Sequence, residues 1–282
     1  MIITRLKGGL GNQMFQYALG RKLALKNNDL LKLDISGYQH DNLRSYSLEP
    51  FAISAEIAKQ EEITRLKYPL GIFSLVWRYF SFKVLRQFHT GWEPAILEAK
   101  GNLYLDGFWQ SYKYFADIAD TIRADFTLKE PLEQKYPELV QQVHEGDSIS
   151  LHVRRTDYVS SKKHQKNFGT LSLEHYQKAI RLAKENRPNP TLFIFTDDPN
   201  WVKNNLQTDV PTIYISNFGL RDYEELILMS YCKSHIIANS SFSWWGAWLD
   251  PRPDKIVIAP THWTQSGEPK TDDIIPPSWQ KI

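Results

Sequence analysis

The stretch Ser148–Tyr158, SISLHVRRTDY, predicts a strand that ends in a group of charged side chains. Apolar and polar residues alternate over 149–153, which is the period-two pattern of a strand. Arg154 and Arg155 follow at once, and a guanidinium brings a permanent charge and a fixed fork of donors that suits phosphate oxygens. The alternative is structural, a pair of interdomain salt bridges that uses Arg155 and Asp157.

Short apolar strands and helical segments alternate in the second half of the chain. The predicted strands are Ile149–Val153, Thr191–Phe195, Thr212–Ile215, His235–Ala238 and Lys255–Ala259. The predicted helices between them are Ser172–Glu185, Pro199–Asn204, Arg221–Tyr231 and Phe242–Leu249. Near-continuous apolar strands that alternate with helices are typical of an α/β fold, with a parallel sheet covered on both faces.

Polar side chains follow each of the first four of these strands. They are Arg154, Arg155 and Asp157; Thr196, Asp197 and Asp198; Ser216 and Asn217; and Asn239, Ser240 and Ser241. Open α/β folds bind ligands at the carboxyl ends of their strands. The sequence therefore predicts a ligand site at this edge of the sheet.

The segment Asn239–Leu249, NSSFSWWGAWL, passes from a strand end into a helix. Ser240, Ser241 and Ser243 stand at N-cap and first-turn positions. Their hydroxyls, the backbone N–H groups and the positive end of the helix dipole together favour an anion. Helix capping alone accounts for one serine but not for three.

The adjacent carboxylates of Asp197 and Asp198 have two interpretations. They could hold a divalent cation that bridges phosphates. Alternatively, one carboxylate accepts hydrogen bonds from a ribose or a base, as in dinucleotide-binding folds. Because Pro199 can begin a helix, Asp198 also fits an N-cap. We favour nucleoside recognition by Asp197 and capping by Asp198.

A glycine-rich turn, Lys7–Gln13, lies in a predicted βαβ unit at the start of the chain. The elements of this unit are the strand Ile2–Leu6, the helix Met14–Lys26 and the strand Leu30–Ile35. The turn lacks the Gly-Lys-Ser/Thr ending of a P-loop, and Met14 stands where the third glycine of a dinucleotide motif belongs. We expect its backbone to approach a ligand closely and to present Asn12 and Gln13.

The composition excludes several classes of protein. With 34 basic and 32 acidic residues, the chain has a net charge of +2, which argues against a nucleic-acid binder. Its one cysteine, Cys232, excludes an intrachain disulfide and fits a reducing compartment. The histidines show no metal-ligand spacing, so no metal site is expected. The absence of a G-x-S-x-G motif disfavours an α/β-hydrolase.

Five segments, taken in order, resemble the α-1,2-fucosyltransferases of glycosyltransferase family 11. They are GGLGNQMFQYALG at Gly8–Gly20, GFWQSYKYF at Gly107–Phe115, HVRRTD at His152–Asp157, FIFTDDPNW at Phe193–Trp201 and NSSFSWWGAWL at Asn239–Leu249. The resemblance spans nearly the whole chain except Ser36–Lys100. It implies a GT-B-like fold, with two Rossmann-like lobes and a cleft between them. It also implies a GDP-β-L-fucose donor, inversion at the anomeric carbon, and no metal or other cofactor.

The resemblance also implies roles for particular residues. The donor-binding set is Gly9, Arg154, Arg155, Asp197, Asn239, Ser240, Ser241 and Phe242, and the catalytic set is Arg154, Asn12 and Asp157. Within these sets, Arg154 contacts the diphosphate and Asp197 the guanosine. Asn12 faces the cleft near the transferred sugar. Asp157 is the carboxylate nearest in sequence to serve as a base, although it could instead only orient Arg155.

The implied activity is transfer of L-fucose to the 2-hydroxyl of a galactose-containing oligosaccharide or glycolipid. One alternative is an NAD-dependent oxidoreductase that uses Gly8–Gly11 and Asp34, which Met14 disfavours. The other is a non-catalytic nucleotide-sugar-binding protein. The acceptor has no readable sequence pattern, although residues 36–100 and 160–170 are expected to shape its site.

Two lobes are expected, with a linker at Glu130–Gly146. The acceptor-side lobe would span 1–140, including a variable insert at about 36–100, and the nucleotide-sugar lobe would span 141–282. With neither a signal-peptide pattern nor about 18 consecutive uncharged residues, the chain is expected to be cytoplasmic. The aromatic and basic stretch Tyr68–Phe88 is expected to pack against the core, with peripheral contact at the inner face of the membrane as the alternative.

Overall fold

The fold was analysed in a computed structural model that describes residues 1–67, 82–87, 91–155, 169–185 and 187–282, with Phe82 and Lys83 described by their backbone alone. The chain divides into two compact units, Met1–Lys129 and Glu130–Ile282. Both units are α/β, and the described strands pair in parallel in each sheet, as predicted. The stretch Tyr68–Phe88 lies largely outside the described residues. Within the described ranges, no helix has the length and apolar character needed to cross a membrane.

The described part of the first unit contains a five-stranded sheet. Its strands are β1 (Ile2–Arg5), β2 (Leu31–Asp34), β3 (Glu56–Ile57), β4 (Phe82–Arg86) and β5 (Asn102–Asp106). Its helices are α1 (Leu10–Asn27), α2 (Gln60–Lys67) and α3 (Ala119–Asp125), with 3₁₀ turns at Ser36–His40, Pro94–Glu98, Tyr112–Tyr114 and Ala116–Ile118. The strand order is β3-β2-β1-β5-β4, so β1 lies at the centre.

The described part of the second unit contains a six-stranded sheet. Its strands are β6 (Asp147–Val153), β7 (Pro190–Thr196), β8 (Thr212–Tyr214), β9 (Ser234–Ile236), β10 (Ile256–Ala259) and β11 (Gln280–Lys281). Its helices are α4 (Leu132–Lys135), α5 (Pro137–Glu145), α6 (Leu173–Lys184), α7 (Pro199–Asn205), α8 (Asp222–Tyr231), α9 (Ser241–Leu249) and α10 (Thr271–Ile274), with a 3₁₀ turn at Ile215–Phe218. The strand order is β11-β10-β9-β6-β7-β8.

The predicted linker Glu130–Gly146 is largely helical and belongs to the second unit. Lys135 Nζ and Tyr136 Oη donate to the buried carboxylate of Glu224 in α8, at 2.5 and 3.3 Å. These bonds join α4 and the start of α5 to α8. The boundary between the units therefore lies after Lys129 rather than near residue 140.

Strand β6 is buried on both faces. Ile149, Leu151 and Val153 point into a core that includes Tyr176 and Ile180 of α6. The alternating residues of β6 are polar but equally buried. A parallel strand covered on both faces accommodates polar side chains only where each finds a partner, because an unpaired buried polar group is costly.

The second face of β6 carries a buried chain of hydrogen bonds. Ser150 Oγ lies 2.9 Å from His235 Nδ1, and His235 Nε2 lies 3.0 Å from Asp250 Oδ2. Burial lowers the pKa of His235, so the ring is neutral and donates from Nε2. Burial alone would raise the pKa of Asp250, but hydrogen bonds from His235 and Arg252 hold it at about 2. This chain of bonds fastens β6, β9 and the end of α9 together.

The first unit offers a direct test of close packing. Helix α1 crosses the sheet at Gly20, where a Cβ would lie 2.3 Å from Thr4 Oγ1 and 2.8 Å from Leu31 Cδ1. We expect Gly20→Ala to lower the free energy of unfolding by about 1–2 kcal/mol, since overpacking outweighs the better helix propensity of alanine. Urea unfolding measures this difference. The matched control is Gly37→Ala, whose nearest atom is a guanidinium nitrogen of Arg5 at 3.9 Å; equal losses in both variants would contradict the packing argument.

Candidate functional site

Three neighbouring strands of the second sheet end at one edge. The register pairs Val153 of β6 with Thr196 of β7, and Leu151 of β6 with Ile236 of β9. The residues that follow these strands therefore share that edge, as predicted from the sequence. They include Arg154, Arg155, Asp197, Asp198 and the segment Asn239–Phe242.

The carboxylate of Asp197 links the ends of β6 and β7. Its Oδ1 accepts a hydrogen bond from the backbone N of Arg155 at 2.9 Å. Its Oδ2 lies 3.3 Å from Nε of Arg154, within an ion pair. Both oxygens of this carboxylate are thus engaged with consecutive arginines, and both side chains of the ion pair are only partly exposed.

Arg155 is held by Trp201 of α7 and by Asp198, which precedes that helix. Its guanidinium carbon lies 3.7 Å from the centroid of the Trp201 ring, a close cation–π arrangement. Its Nε lies 3.7 Å from Asp198 Oδ2. Asp198 also accepts the backbone N–H of Trp201 at 3.1 Å, which confirms its predicted role as an N-cap. The stacking of Trp201 on Arg155 was not predicted from the sequence. The only signal was that Trp201, three residues after the N-cap, lies in the first turn of the helix.

The start of α9 shows how its serines divide their roles. Ser240 is the N-cap and accepts the backbone N–H of Phe242 at 3.4 Å. Ser243 is fully buried, and its hydroxyl donates back to the carbonyl of Ser240 at 3.4 Å. Ser243 therefore supports the helix, whereas Ser240, Ser241 and Phe242 are half-buried. The helix N-terminus contributes positive electrostatic potential at this edge.

Two side-chain contacts hold the start of α9. Asn239 donates from Nδ2 to the carbonyl of Trp263 at 3.4 Å. The ring of Phe242 lies 5.4 Å from that of His152, which is buried at the end of β6. The contact between Phe242 and His152 places the α9 N-terminus next to the strand that precedes the two arginines.

The glycine turn is held from inside the first unit. Gly8 has a φ of +79°, a conformation that suits glycine, and its carbonyl accepts from Tyr38 Oη at 2.9 Å and Gln13 Nε2 at 3.1 Å. Gln13 is fully buried and also bonds to Ser45 O and Ser47 N. The prediction that Gln13 is presented to a ligand is therefore wrong, because its amide supports the turn.

Asn12 and Gly9 occupy the outer side of the same turn. Gln110 Nε2 donates to Asn12 Oδ1 at 2.6 Å, which links the turn to the segment after β5. The guanidinium of Arg44 lies beside Gly9, where an added Cβ would be 3.5 Å from it. Both predicted residues belong to the first unit.

Asp34, the candidate ribose-binding acid of an NAD site, is fully buried. Its carboxylate accepts from Ser36 N and Oγ at 2.9 and 2.6 Å and from the Tyr104 hydroxyl, and it lies 3.3 Å from Lys67 Nζ. Burial would raise the pKa of Asp34, but these partners outweigh it and lower the pKa. A carboxylate so engaged is unsuited to a ribose, which disfavours the oxidoreductase alternative.

The segment after β5 contains a strained residue that sequence reasoning missed. Trp109 has a φ of +54°, which is rare for a bulky side chain and costs about 1–3 kcal/mol. Gln87 Oε1 holds this turn by accepting the backbone N–H groups of Phe108 and Trp109, at 3.0 and 2.9 Å. The Trp109 side chain is 1% exposed, and its indole N–H has no hydrogen-bond partner within the described ranges.

Asp157, predicted as a catalytic or orienting carboxylate, lies outside the described residues. The same is true of most of the predicted acceptor loop 160–170.

A second carboxyl group, that of Glu225 in α8, was not identified from the sequence. Burial, with a smaller contribution from the Asp222 carboxylate, raises its pKa to about 7. Nothing in the sequence marked it, because a glutamate in the first turn of a helix is ordinary.

Each unit has an α/β fold with a parallel sheet. In the second unit, two adjacent arginines and a helix N-terminus lie at one edge of the sheet, which is typical of an anion-binding site. The profile of glycosyl transferase family 11 matches residues 1–282. The chain belongs to this family.

Two relatives from Escherichia coli align over most of their length. The first is an alpha-1,2-colitosyltransferase, 34% identical over 100% of this chain and 99% of the relative. The second is the O-antigen biosynthesis glycosyltransferase WbnK, 31% identical over 92% of this chain and 93% of the relative.

Among solved structures, the chain is similar to NodZ, a fucosyltransferase from Bradyrhizobium. The structure of NodZ alpha-1,6-fucosyltransferase soaked with GDP-fucose gives a TM-score of 0.51 at 17% identity, over 91% of this chain and 94% of NodZ. This similarity establishes the fold, which is GT-B-like as predicted.

Glu225 provides a pH test of the second unit. Its carboxyl has a pKa of 4.5 in the absence of burial and about 7 in the folded chain, so the folded state holds the extra proton between these values. The contribution of this pKa shift to the free energy of unfolding is fully present below pH 4.5, and it is lost as the pH rises to about 7. Because glutamine mimics the protonated form, we expect Glu225→Gln to match the wild type near pH 5 and to exceed it in stability near pH 8.5.

Urea unfolding at the two pH values measures this difference. The control is Glu61→Gln, which changes an exposed glutamate of α2. A Glu225→Gln effect that is the same at both pH values would contradict the shifted pKa.

Proposed function

We propose that this protein is an inverting galactoside α-1,2-fucosyltransferase that uses GDP-β-L-fucose without a metal ion. The observation that carries the proposal is the Arg154–Asp197 ion pair at the edge where the α9 N-terminus also lies. The names of the relatives support a nucleotide-activated deoxysugar as donor, since one is an alpha-1,2-colitosyltransferase and NodZ was soaked with GDP-fucose.

The chemistry proposed is a single displacement. The 2-hydroxyl of an acceptor galactose attacks the anomeric carbon of fucose, and the bond from that carbon to the GDP oxygen breaks. The hydroxyl proton passes to a general base, for which Asp157 is the predicted carboxylate. Electrons of that bond pass to the leaving diphosphate, so negative charge grows there. Arg154 and the backbone N–H groups at the start of α9 stabilise this charge without a cation. One displacement converts the β-linked donor into an α-linked product.

Asp197 positions Arg154 in this scheme. Because the carboxylate holds the Arg154 Nε and the Arg155 backbone together, the guanidinium is oriented before substrate arrives. Fixed donors need no reorganisation during the reaction, which is the source of their catalytic value. Contact between Asp197 and guanosine stays a prediction. So do donor contacts by Gly9, Asn239, Ser240, Ser241 and Phe242, and roles for Asn12 and Asp157 in catalysis.

Colitose is the second candidate for the transferred sugar, because the colitosyltransferase shares 34% of its residues with this chain. Colitose is fucose that lacks the 3-hydroxyl. Initial rates with GDP-fucose and GDP-colitose on lactose distinguish the two donors, and NMR of the product reports the linkage. A product linked at any position other than the galactose 2-hydroxyl would overturn the α-1,2 assignment.

The role of Arg154 has a quantitative test. We expect Arg154→Ala to lower kcat by roughly a hundred- to a thousandfold, about 2.7–4 kcal/mol in the barrier. Arg154→Lys should recover little, because lysine keeps the charge but loses the planar fork. The matched control is Arg181→Lys, at an exposed arginine of α6.

Two measurements accompany these kinetics. Calorimetry in EDTA should show GDP binding to the wild type and its loss in Arg154→Ala, with NAD as the comparison ligand. Wild-type turnover in Arg154→Lys would contradict the assignment of Arg154. Binding of GDP only with added magnesium would contradict metal independence.

A further inference from the structure

The turn Gly107–Gln110 stands at the ligand-binding edge of the first sheet. β1 and β5 are parallel neighbours, paired at Thr4 and Leu105, so the turn after β5 lies beside the turn after β1. Carboxyl ends of parallel strands form the ligand edge of α/β units. The first unit therefore has its own candidate edge.

An aromatic ring is displayed at this edge. The Phe108 side chain is 37% exposed, one of few large apolar side chains so exposed among the described residues. Lys7 Nζ lies 4.8 Å from the centroid of its ring and 2.9 Å from Asp106 Oδ1. The ring is thus accompanied by a fixed ammonium group rather than by an extended apolar surface.

The backbone that presents Phe108 is rigid and strained. Gln87 Oε1 binds two successive N–H groups of the turn, and Trp109 keeps its positive φ of +54°. A Cβ at Gly107 would lie 2.6 Å from both Gln87 Cβ and Trp109 Cε2, so a larger residue does not fit. Strain that the surroundings enforce is concentrated at functional sites.

Polar groups flank the same ring. Gln110 donates to Asn12 Oδ1 at 2.6 Å, which fixes the direction of its amide. The Trp109 indole N–H is buried and has no hydrogen-bond partner in the described parts of the chain. Buried donors of this kind normally have a protein, water or ligand partner. The turn therefore carries an unmet hydrogen-bonding requirement beside an exposed aromatic ring.

The local charge is small, because most of it is paired within the protein. Asp106 is paired with Arg5 at 3.1 Å and with Lys7 at 2.9 Å, which leaves a formal charge of +1 for the three residues. A hexose offers hydroxyl groups for the amide and ammonium groups, and C–H bonds on one ring face for the electron-rich face of a phenyl ring.

We propose that the turn Gly107–Gln110 is the acceptor subsite and that a galactose ring stacks on Phe108 while Gln110 and Lys7 bind its hydroxyls. This subsite rests on the proposed function, since it places the acceptor sugar of that reaction. Phe108 is a specificity-determining residue, because an aromatic face selects a sugar with a continuous C–H surface.

The test measures acceptor binding separately from turnover. Lactose is titrated into the full-length protein with GDP present, and binding is followed by saturation-transfer NMR. We expect Phe108→Ala to weaken lactose binding roughly tenfold, to leave GDP binding unchanged, and to raise the acceptor KM more than it lowers kcat. Phe108→Tyr should retain binding, because it keeps the ring. The matched control is Leu30→Ala, which truncates an exposed leucine just before β2, at the opposite end of the sheet's strands.

The outcomes separate this subsite from the donor chemistry. Lactose binding lost in Phe108→Ala but kept in Leu30→Ala supports the subsite even if GDP-fucose is never turned over. Lactose binding that is unchanged in Phe108→Ala, or equally reduced in Leu30→Ala, overturns it. A wild-type protein that binds GDP but no lactose also overturns it. Thermal unfolding of each variant confirms that the fold persists, as expected for exposed side chains.

Discussion

The burial of β6 on both faces is the constraint on which the second unit depends. One face is apolar and packs against α6, but the other carries polar side chains that cannot reach water. One of them, Ser150, is hydrogen-bonded to His235, which is in turn bonded to Asp250. That chain of hydrogen bonds requires β9 and the end of α9 to take fixed positions relative to β6. The arginines after β6 and the serines after β9 are consequently presented by one rigid framework.

The charges at this edge balance before any ligand arrives. Arg154 pairs with Asp197 and Arg155 with Asp198, so each carboxylate offsets the charge of one guanidinium group. Under the proposed function, a diphosphate that binds Arg154 would share it with the Asp197 carboxylate. The N-terminus of α9 supplies further positive potential that no carboxylate of its first turn opposes.

Much of this arrangement follows from local pattern. Apolar strands of the second half were found because both faces of a parallel sheet are buried, and the position of Asp198 before Pro199 identified a cap. Tertiary partners were harder to predict. Gln13 was predicted to bind a ligand because the sequence does not show that its amide forms hydrogen bonds with backbone groups near residue 45. Prolines and charges around residue 137 suggested a linker, although Leu139 and Val143 give α5 a buried face.

The first unit shows the same limit. The strain at Trp109 is invisible in sequence, since it arises from Gln87, which lies more than twenty residues away. Asp34 matched the sequence position of a ribose-binding acid, but its carboxylate is bound by Tyr104 and Lys67, which lie far along the chain. In each case a non-local contact decided the outcome.

The strand order of the first sheet has a consequence during synthesis. β1 begins at Ile2, yet its partner on one side is β5, which begins at Asn102. At about 5–20 residues per second, a ribosome takes roughly 5–20 seconds to produce the intervening chain. During that interval β1 can pair with β2 but leaves a hydrogen-bonding edge exposed. The Gly107–Gln110 turn and its hydrogen bond to Asn12 are therefore assembled late, when β5 closes that edge.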